Sequence, residues 1–286
     1  MRRVRRRRRP HGRRNSTAGV VLIVVTVLGL VYILSAGVAG KWMADNVIAP
    51  IFGVFSGGTP SASPKSTQQK AEQKVVWKAF TLYCLQMGVF DSEANAKSLA
   101  DSLKKQGAAG YLLDVDGNVR VLLSAYGSEK DAEAVRDRLI AEEMDCTVYT
   151  MGCNKLELTI TADAARLPGI QPIFDRYAEA MQACSTLAFA LDANTSTKDE
   201  ALVETRDLAE KMKEDAQSVE DSGYAESNAV VRAMLALLTE GTKALEVAAE
   251  GTENSLSARL KYAQLQLAGQ AIDFVKAAQN GLAGSS

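Results

Sequence analysis

Apolar and polar residues along this chain recur at two spacings, and the change from one to the other marks where the architecture should change. From Val75 to Cys153 short stretches of period two alternate with longer ones of period 3.6. Residues 81–90 read as a strand. Residues 92–106 carry Ala96, Leu99, Ala100 and Leu103 at helical spacing and stop at Gly107. Residues 110–115 and 118–126 predict two strands joined by Asp116-Gly117, a pair suited to a tight hairpin because both central positions of that turn take positive φ. A second helix is predicted over 129–142, opened by Ser128 with Asp131 three residues on as a cap pair. A fourth strand follows at 146–150. The order is βαββαβ, within a domain bounded at 75–155.

The halves of this region repeat. Residues 87–107 (MGVFDSEANAKSLADSLKKQG) align without a gap on 123–143 (LSAYGSEKDAEAVRDRLIAEE), matching Phe90 with Tyr126, Ser92 with Ser128 and Leu103 with Leu139. Two strand–helix–strand copies close into one four-stranded antiparallel sheet, the split βαβ arrangement. Its helices are expected to cover one face and leave the other open. Beyond a short strand-like stretch at 156–161, the chain is helical to its end. Ile173, Tyr177, Met181, Cys184, Leu187 and Leu191 form one stripe, and three further stripes run through Leu202–Val219, Val230–Leu245 and Leu256–Phe274. Thr197 with Glu200 is a capping box for the second of these helices. Four helices with short connections predict an antiparallel bundle over 156–286. The fold class is therefore α+β: one N-terminal transmembrane helix, the small sheet domain, then the bundle.

The transmembrane helix rests on Ala18–Ala39, a run of 22 residues without a charge. At 1.5 Å per residue it spans about 33 Å, enough for the hydrocarbon core of a bilayer. The span is placed at 18–40, behind a tail at 1–17 with nine arginines and no acid in its first 14 residues. The sharper reading of that tail is a nucleic-acid arm. Positive charge flanking an apolar span more simply holds that end in the cytoplasm, so no nucleic-acid partner is expected. A cleaved signal peptide is the competing reading, but its apolar stretch runs about 7–15 residues. Residues 41–74 form a juxtamembrane segment and a linker rich in Ser, Pro, Gly, Gln and Lys. Without the nine tail arginines, 24 basic residues face 34 acids, leaving the exported part at −10. The expected location is the cell membrane, with everything after the span outside the cytoplasm.

Catalytic chemistry finds little support. The single histidine, His11, lies in the tail, which removes histidine triads and histidine metal sites from the folded region. Asp114-Val115-Asp116-Gly117-Asn118 resembles the start of a calcium loop, but Val119 stands where that loop needs Gly and Ala125 where it needs Glu. No cofactor, metal or catalytic residue is expected. The four cysteines lack zinc spacing. The first and fourth strands of a split βαβ sheet are neighbours, which brings Cys84 near Cys153. A Cys84–Cys153 disulfide is one expectation in an exported region, and buried free thiols are the other.

Residues 80–151 resemble the SPOR (sporulation-related repeat) domain of bacterial envelope proteins. QMGVF (Gln86–Phe90) with the following SEANA, and RVLLSAY (Arg120–Tyr126) with SEKDAEA after it, carry the likeness over about a quarter of the chain. The family pattern runs near Q-x-G-x-F in the first copy and R-V-x-x-G-P-F in the second; Ser124-Ala125 stands where it has Gly-Pro. The resemblance implies a ligand, the glycan strands of peptidoglycan, particularly those stripped of stem peptides. Plain strand alternation turns Tyr83, Leu85, Met87 and Val89 toward the helices, with Gln86, Gly88 and Phe90 on the open face. On the third strand it turns Val121 and Leu123 inward and leaves Arg120, Leu122, Ser124 and Tyr126 outward. An amide, a guanidinium, a hydroxyl and aromatic rings on a shallow surface suit a sugar chain, whose apolar faces stack on rings. The expectation is a membrane-anchored, non-catalytic peptidoglycan-binding protein of cell division or sporulation, whose bundle meets other envelope proteins. The alternative is an extracytoplasmic assembly factor that binds no glycan.

Overall fold

The computed structural model describes residues 70–163, 169–226 and 228–283. The arginine tail with His11, the span at 18–40 and the linker through residue 69 lie outside the described residues. Among the described residues, no helix is long and apolar enough to cross a membrane.

The first element, β1 (Lys70–Trp77), begins inside the stretch read as linker. Only Val75 and Trp77 are large apolar residues on its inner side, and Gln73 breaks the alternation, so the sequence pattern hides it. Its partner comes from the far end of the sheet domain. Strand β6 (Leu156–Asp163) pairs with β1 antiparallel, from Lys70 opposite Asp163 to Trp77 opposite Leu156. This ribbon brackets everything between.

Within the bracket, β2 (Phe80–Phe90), β3 (Tyr111–Val115), β4 (Asn118–Tyr126) and β5 (Thr147–Cys153) form an antiparallel sheet in the order β3-β4-β2-β5. Helices α1 (Glu93–Lys105) and α2 (Glu129–Ala141) cover one face. That gives the predicted βαββαβ order. Leu85, Val121 and Leu123 from the sheet meet Ala96, Ala100, Leu103 and Ala132 from the helices in a core of their own. The hairpin falls at Asp116 and Gly117, with φ of 54° and 80°, as the residue pair requires. The predicted cap at Ser128 is half realised: Ser128 has extended N-cap geometry, but its side chain makes no capping bond.

The bundle comprises α3 (Ile170–Asp192), α4 (Lys198–Asp221), α5 (Ala229–Glu250) and α6 (Leu256–Ala283). Contacts between opposite ends fix its direction. Arg176, early in α3, donates from Nε to Asp215 Oδ2, late in α4, at 2.6 Å. Ser257 at the start of α6 bonds the Ala188 carbonyl near the end of α3, and Arg259 bonds the Ala248 carbonyl late in α5. Neighbouring helices therefore run antiparallel. The capping box at Thr197 is complete: Glu200 N donates to Thr197 Oγ1 at 3.2 Å and Thr197 N to Glu200 Oε2 at 2.8 Å.

The ribbon docks on the bundle through Trp77, which packs at 5.3 Å from Phe174 and Phe274 and 5.7 Å from Tyr177, between ring centroids. One large core then runs through the ribbon, the bundle and the second face of the sheet. That face, expected to be open, is largely covered. Leu82, Cys84, Leu122, Ala125 and Met151 are buried in this shared core, and α6 lies against β3, β4 and β5. The reason is apolar: an outer face carrying Leu82, Cys84, Leu122 and Met151 offers the bundle more to bury than water would tolerate.

Candidate functional site

Strand alternation fails at two residues, and these decide which side chains share a face. Pairing runs Leu85 opposite Ser124, then Gln86 opposite Leu122, then Gly88 opposite Val121. The ladder skips Leu123 on β4 and Met87 on β2, two bulges that each invert the alternation beyond them. Gln86, Arg120 and Leu122 lie on the outer face, away from α1 and α2. The remaining four do not. Gly88 faces the helices, where an added Cβ would meet the Phe90 ring at 2.8 Å and Leu99 Cδ2 at 3.7 Å. Phe90, opposite Val119, packs against the helix-side core. Ser124, opposite Leu85, is buried, and its hydroxyl bonds the Tyr126 hydroxyl at 3.4 Å. Tyr126 packs at the margin of the helix-side core and stacks on Phe189 of α3, centroids 5.2 Å apart. The β4 bulge coincides with the Ser124-Ala125 departure from the family pattern.

The outer face that results has two parts. One is the row Tyr111–Leu122–Gln86–Thr147 across all four strands, followed by Leu113–Arg120–Val89. Here Arg120 Nη1 donates to Gln86 Oε1 at 2.7 Å, and Gln86 Nε2 donates to Thr147 Oγ1 at 3.1 Å. The Arg120 guanidinium lies 4.6 Å over the Tyr149 ring, and its Nε is buried without a hydrogen-bond partner. A cation stacked on a ring is held flat. Gln86, Arg120 and Tyr149 are half-buried, while Val89 and Thr147 are exposed. This end of the face is reachable. The other part is under the bundle: Tyr111 meets Tyr262 edge-on at 5.2 Å, and Lys261 Nζ donates to the Gly107 carbonyl at 3.1 Å.

Tyr149 and Thr147 escape the sequence reading. Their signal was the fourth strand itself: once β5 lies beside β2, Thr147, Tyr149 and Met151 alternate onto the same face as Gln86, Cys84 and Leu82.

The cysteines carry no chemistry here. Cys84 is level with Tyr149, and Cys153 with Phe80, four residues away along β2. That is about 13 Å at the strand rise, well past the roughly 7 Å limit between Cα atoms, so the Cys84–Cys153 disulfide is excluded. All four cysteines are free thiols. Burial pushes Cys84 and Cys184 up to about 12, which keeps both protonated and poor nucleophiles. Among the described residues no group of three or more His, Cys, Asp or Glu side chains could hold a metal ion.

Residues 79–150 match the SPOR domain family model. The solved structures include one relative, the peptidoglycan binding domain of the B. subtilis cell wall lytic enzyme CwlC. It is 31% identical, with 24% of this chain and 89% of that chain covered and a TM-score of 0.22. No curated protein matches the chain. The motifs and the matched span agree, and through residues 79–150 the chain belongs to the SPOR domain family.

Proposed function

We propose that this protein binds the glycan strands of peptidoglycan through the outer sheet face of its SPOR domain, without catalysing a reaction on them. The observation that carries the reading is the Gln86–Arg120–Tyr149 cluster. It places an amide, a planar cation and an aromatic ring side by side at the reachable end of that face. Such a set bonds sugar hydroxyls and acetamido groups while a ring or guanidinium plane lies against a pyranose. The named function of the CwlC domain supports the choice of polymer. The span at 18–40 anchors the chain in the cell membrane with its tail in the cytoplasm, and division or sporulation is the setting in which such an anchor works. Full-length protein in detergent, mixed with purified peptidoglycan stripped of stem peptides, should sediment with it. Gln86→Ala with Arg120→Ala should weaken retention about tenfold or more, the scale of one or two charge-assisted hydrogen bonds. Retention indifferent to both substitutions, or none by any form of the chain, refutes the proposal.

One observation favours a second reading, an extracytoplasmic assembly factor that binds no glycan: the burial of Cys84 and Leu122 beneath the bundle. The same sedimentation separates the two.

A further inference from the structure

The helix lying over the sheet occupies the surface a glycan strand would use. Resting on the peptidoglycan reading, we infer that α6 is a built-in competitor for the glycan, and that the SPOR domain swings off the bundle about two paired links to expose its full binding face.

The contact adds specific pairs at its edge to the apolar burial of Leu82, Cys84, Leu122 and Met151. From the bundle, Tyr262 sets its ring against Tyr111, with Lys104 Nζ 5.1 Å above that ring, and Lys261 bonds the Gly107 carbonyl. At Gly269 an added Cβ would lie 3.0 Å from the Tyr111 hydroxyl, so the missing side chain lets that ring reach the helix. Phe189 closes the side by stacking on Tyr126. While these contacts hold, a polymer reaches Gln86, Arg120 and Tyr149 but not Leu122, Cys84 or Leu82.

The topology supplies a hinge. The whole βαββαβ unit is inserted between the two strands of the ribbon. The last ribbon rung is Trp77 opposite Leu156, and the first sheet rung is Phe80 opposite Cys153. Only Lys78-Ala79 and Asn154-Lys155 join them, two residues each and side by side. On the far side of these links the ribbon is committed to the bundle, through Val75, Trp77, Leu156 and Leu158. On the near side the sheet has its separate core with α1 and α2. Each body thus keeps a packed interior if the two part, and the apolar face that leaves the bundle is the one the glycan must cover in its place.

The seam at this hinge carries a groove, open to solvent, of about 510 Å³ between Phe80, Leu82 and Gly127 of the sheet domain and Phe174, Met181 and Gln264 of the bundle. Gln264 is 3% exposed, and its Oε1 has no hydrogen-bond partner. A groove that lets water reach the seam and an orphaned amide oxygen weaken it relative to the cores on either side. A two-state element with one arrangement per partner is what competition requires.

The test uses the full chain in detergent and stripped peptidoglycan. Replacing Lys261, Tyr262 and Phe189 with alanine removes the bundle's polar and aromatic edge contacts and touches no residue assigned to the sugar. Because apparent affinity scales with the fraction of uncovered molecules, retention should rise about tenfold or more, with helical content unchanged by circular dichroism. In a second form, Tyr111→Cys and Tyr262→Cys joined by a short bis-maleimide should lower retention below that of the same protein unlinked. A folded triple variant retained no better than wild type, or a link without effect, overturns the inference while wild-type binding leaves the glycan reading intact. Absence of binding by every form ends both.

Discussion

Replacing Trp77 with alanine tests whether a strand that begins within the stretch read as linker is part of the core. The ring is 3% exposed and touches three aromatic residues of the bundle. An indole of this kind withdraws about 200 Å² from water, or about 5 kcal/mol at about 25 cal/mol per Å². A denatured chain that is already partly compact reduces this to about 4 kcal/mol. One effect runs the other way. The indole N–H is buried with only the weakly accepting Cys153 sulfur facing it, and its removal returns about 1 kcal/mol. The net expectation is a loss of about 3 kcal/mol, within the usual range for emptying an aromatic site and a large share of a domain's total stability. Urea unfolding of the unit beginning at Ser66, followed by circular dichroism, measures it. Trp77→Phe keeps most of the ring contacts and drops the weakly paired donor, so it should cost no more than about 1.5 kcal/mol. A Trp77→Ala effect below about 1 kcal/mol, or a Phe variant as damaged as the Ala variant, would show that the ribbon does not hold the bundle.

Three further outcomes follow from the structure. Gly241→Ala should destabilise by about 1 kcal/mol although alanine is the better helix former, because its Cβ would sit 2.6 Å from Met212 Sδ and 2.8 Å from Tyr177 Cε2; a stability gain in urea would contradict the packing. The Tyr177 ring is not free to yield, since its hydroxyl lies 3.0 Å from both the Leu267 carbonyl and Gln270 Oε1. Thr197→Ala removes the capping oxygen of α4 and should cost about 1 kcal/mol in the same titration, with Thr197→Ser nearly neutral. Stability should also fall at high pH. Cys84 and Cys184 titrate near 12 when folded and near 9.0 when exposed, so their contribution is intact below pH 9 and is lost as pH rises from 9 toward 12. Melting temperatures from pH 8 to 11 should decline, and less steeply in Cys184→Ala; a flat profile would count against burial of the thiols.

Much of the architecture could be read from residue spacing because the relevant signals are local. Asp116-Gly117 demands its own turn, and Thr197 with Glu200 caps its own helix whatever lies nearby. Helical stripes such as Ile173–Leu187 announce themselves within one segment. The parts that stayed hidden depend on residues far apart. β1 exists because β6, whose residues lie 79 to 93 positions beyond their partners, supplies its hydrogen bonds, and no pattern within KAEQKVVW announces that partner. The bulges at Met87 and Leu123 arise from how two strands meet, and a single extra residue on each turned Gly88, Phe90, Ser124 and Tyr126 to the face opposite their expected one. Gln86, Arg120 and Leu122, which lie before or between these slips, kept theirs. The cover over the sheet likewise comes from helices distant in sequence. Its warning was the apolar content of the face itself, since Leu82, Cys84, Leu122 and Met151 together are too greasy a surface to be left in water.

The bracketing ribbon also dictates how tension would travel. A pull between Lys70 and the sheet domain runs straight along the covalent backbone of β1 into β2, so the bundle is bypassed and none of its helices bears load. A pull between Lys70 and the bundle acts instead on two strand ends that lie opposite each other, Lys70 and Asp163, and peels their ladder open one rung at a time. The same polypeptide is thus a stiff cable toward one end and a zipper toward the other.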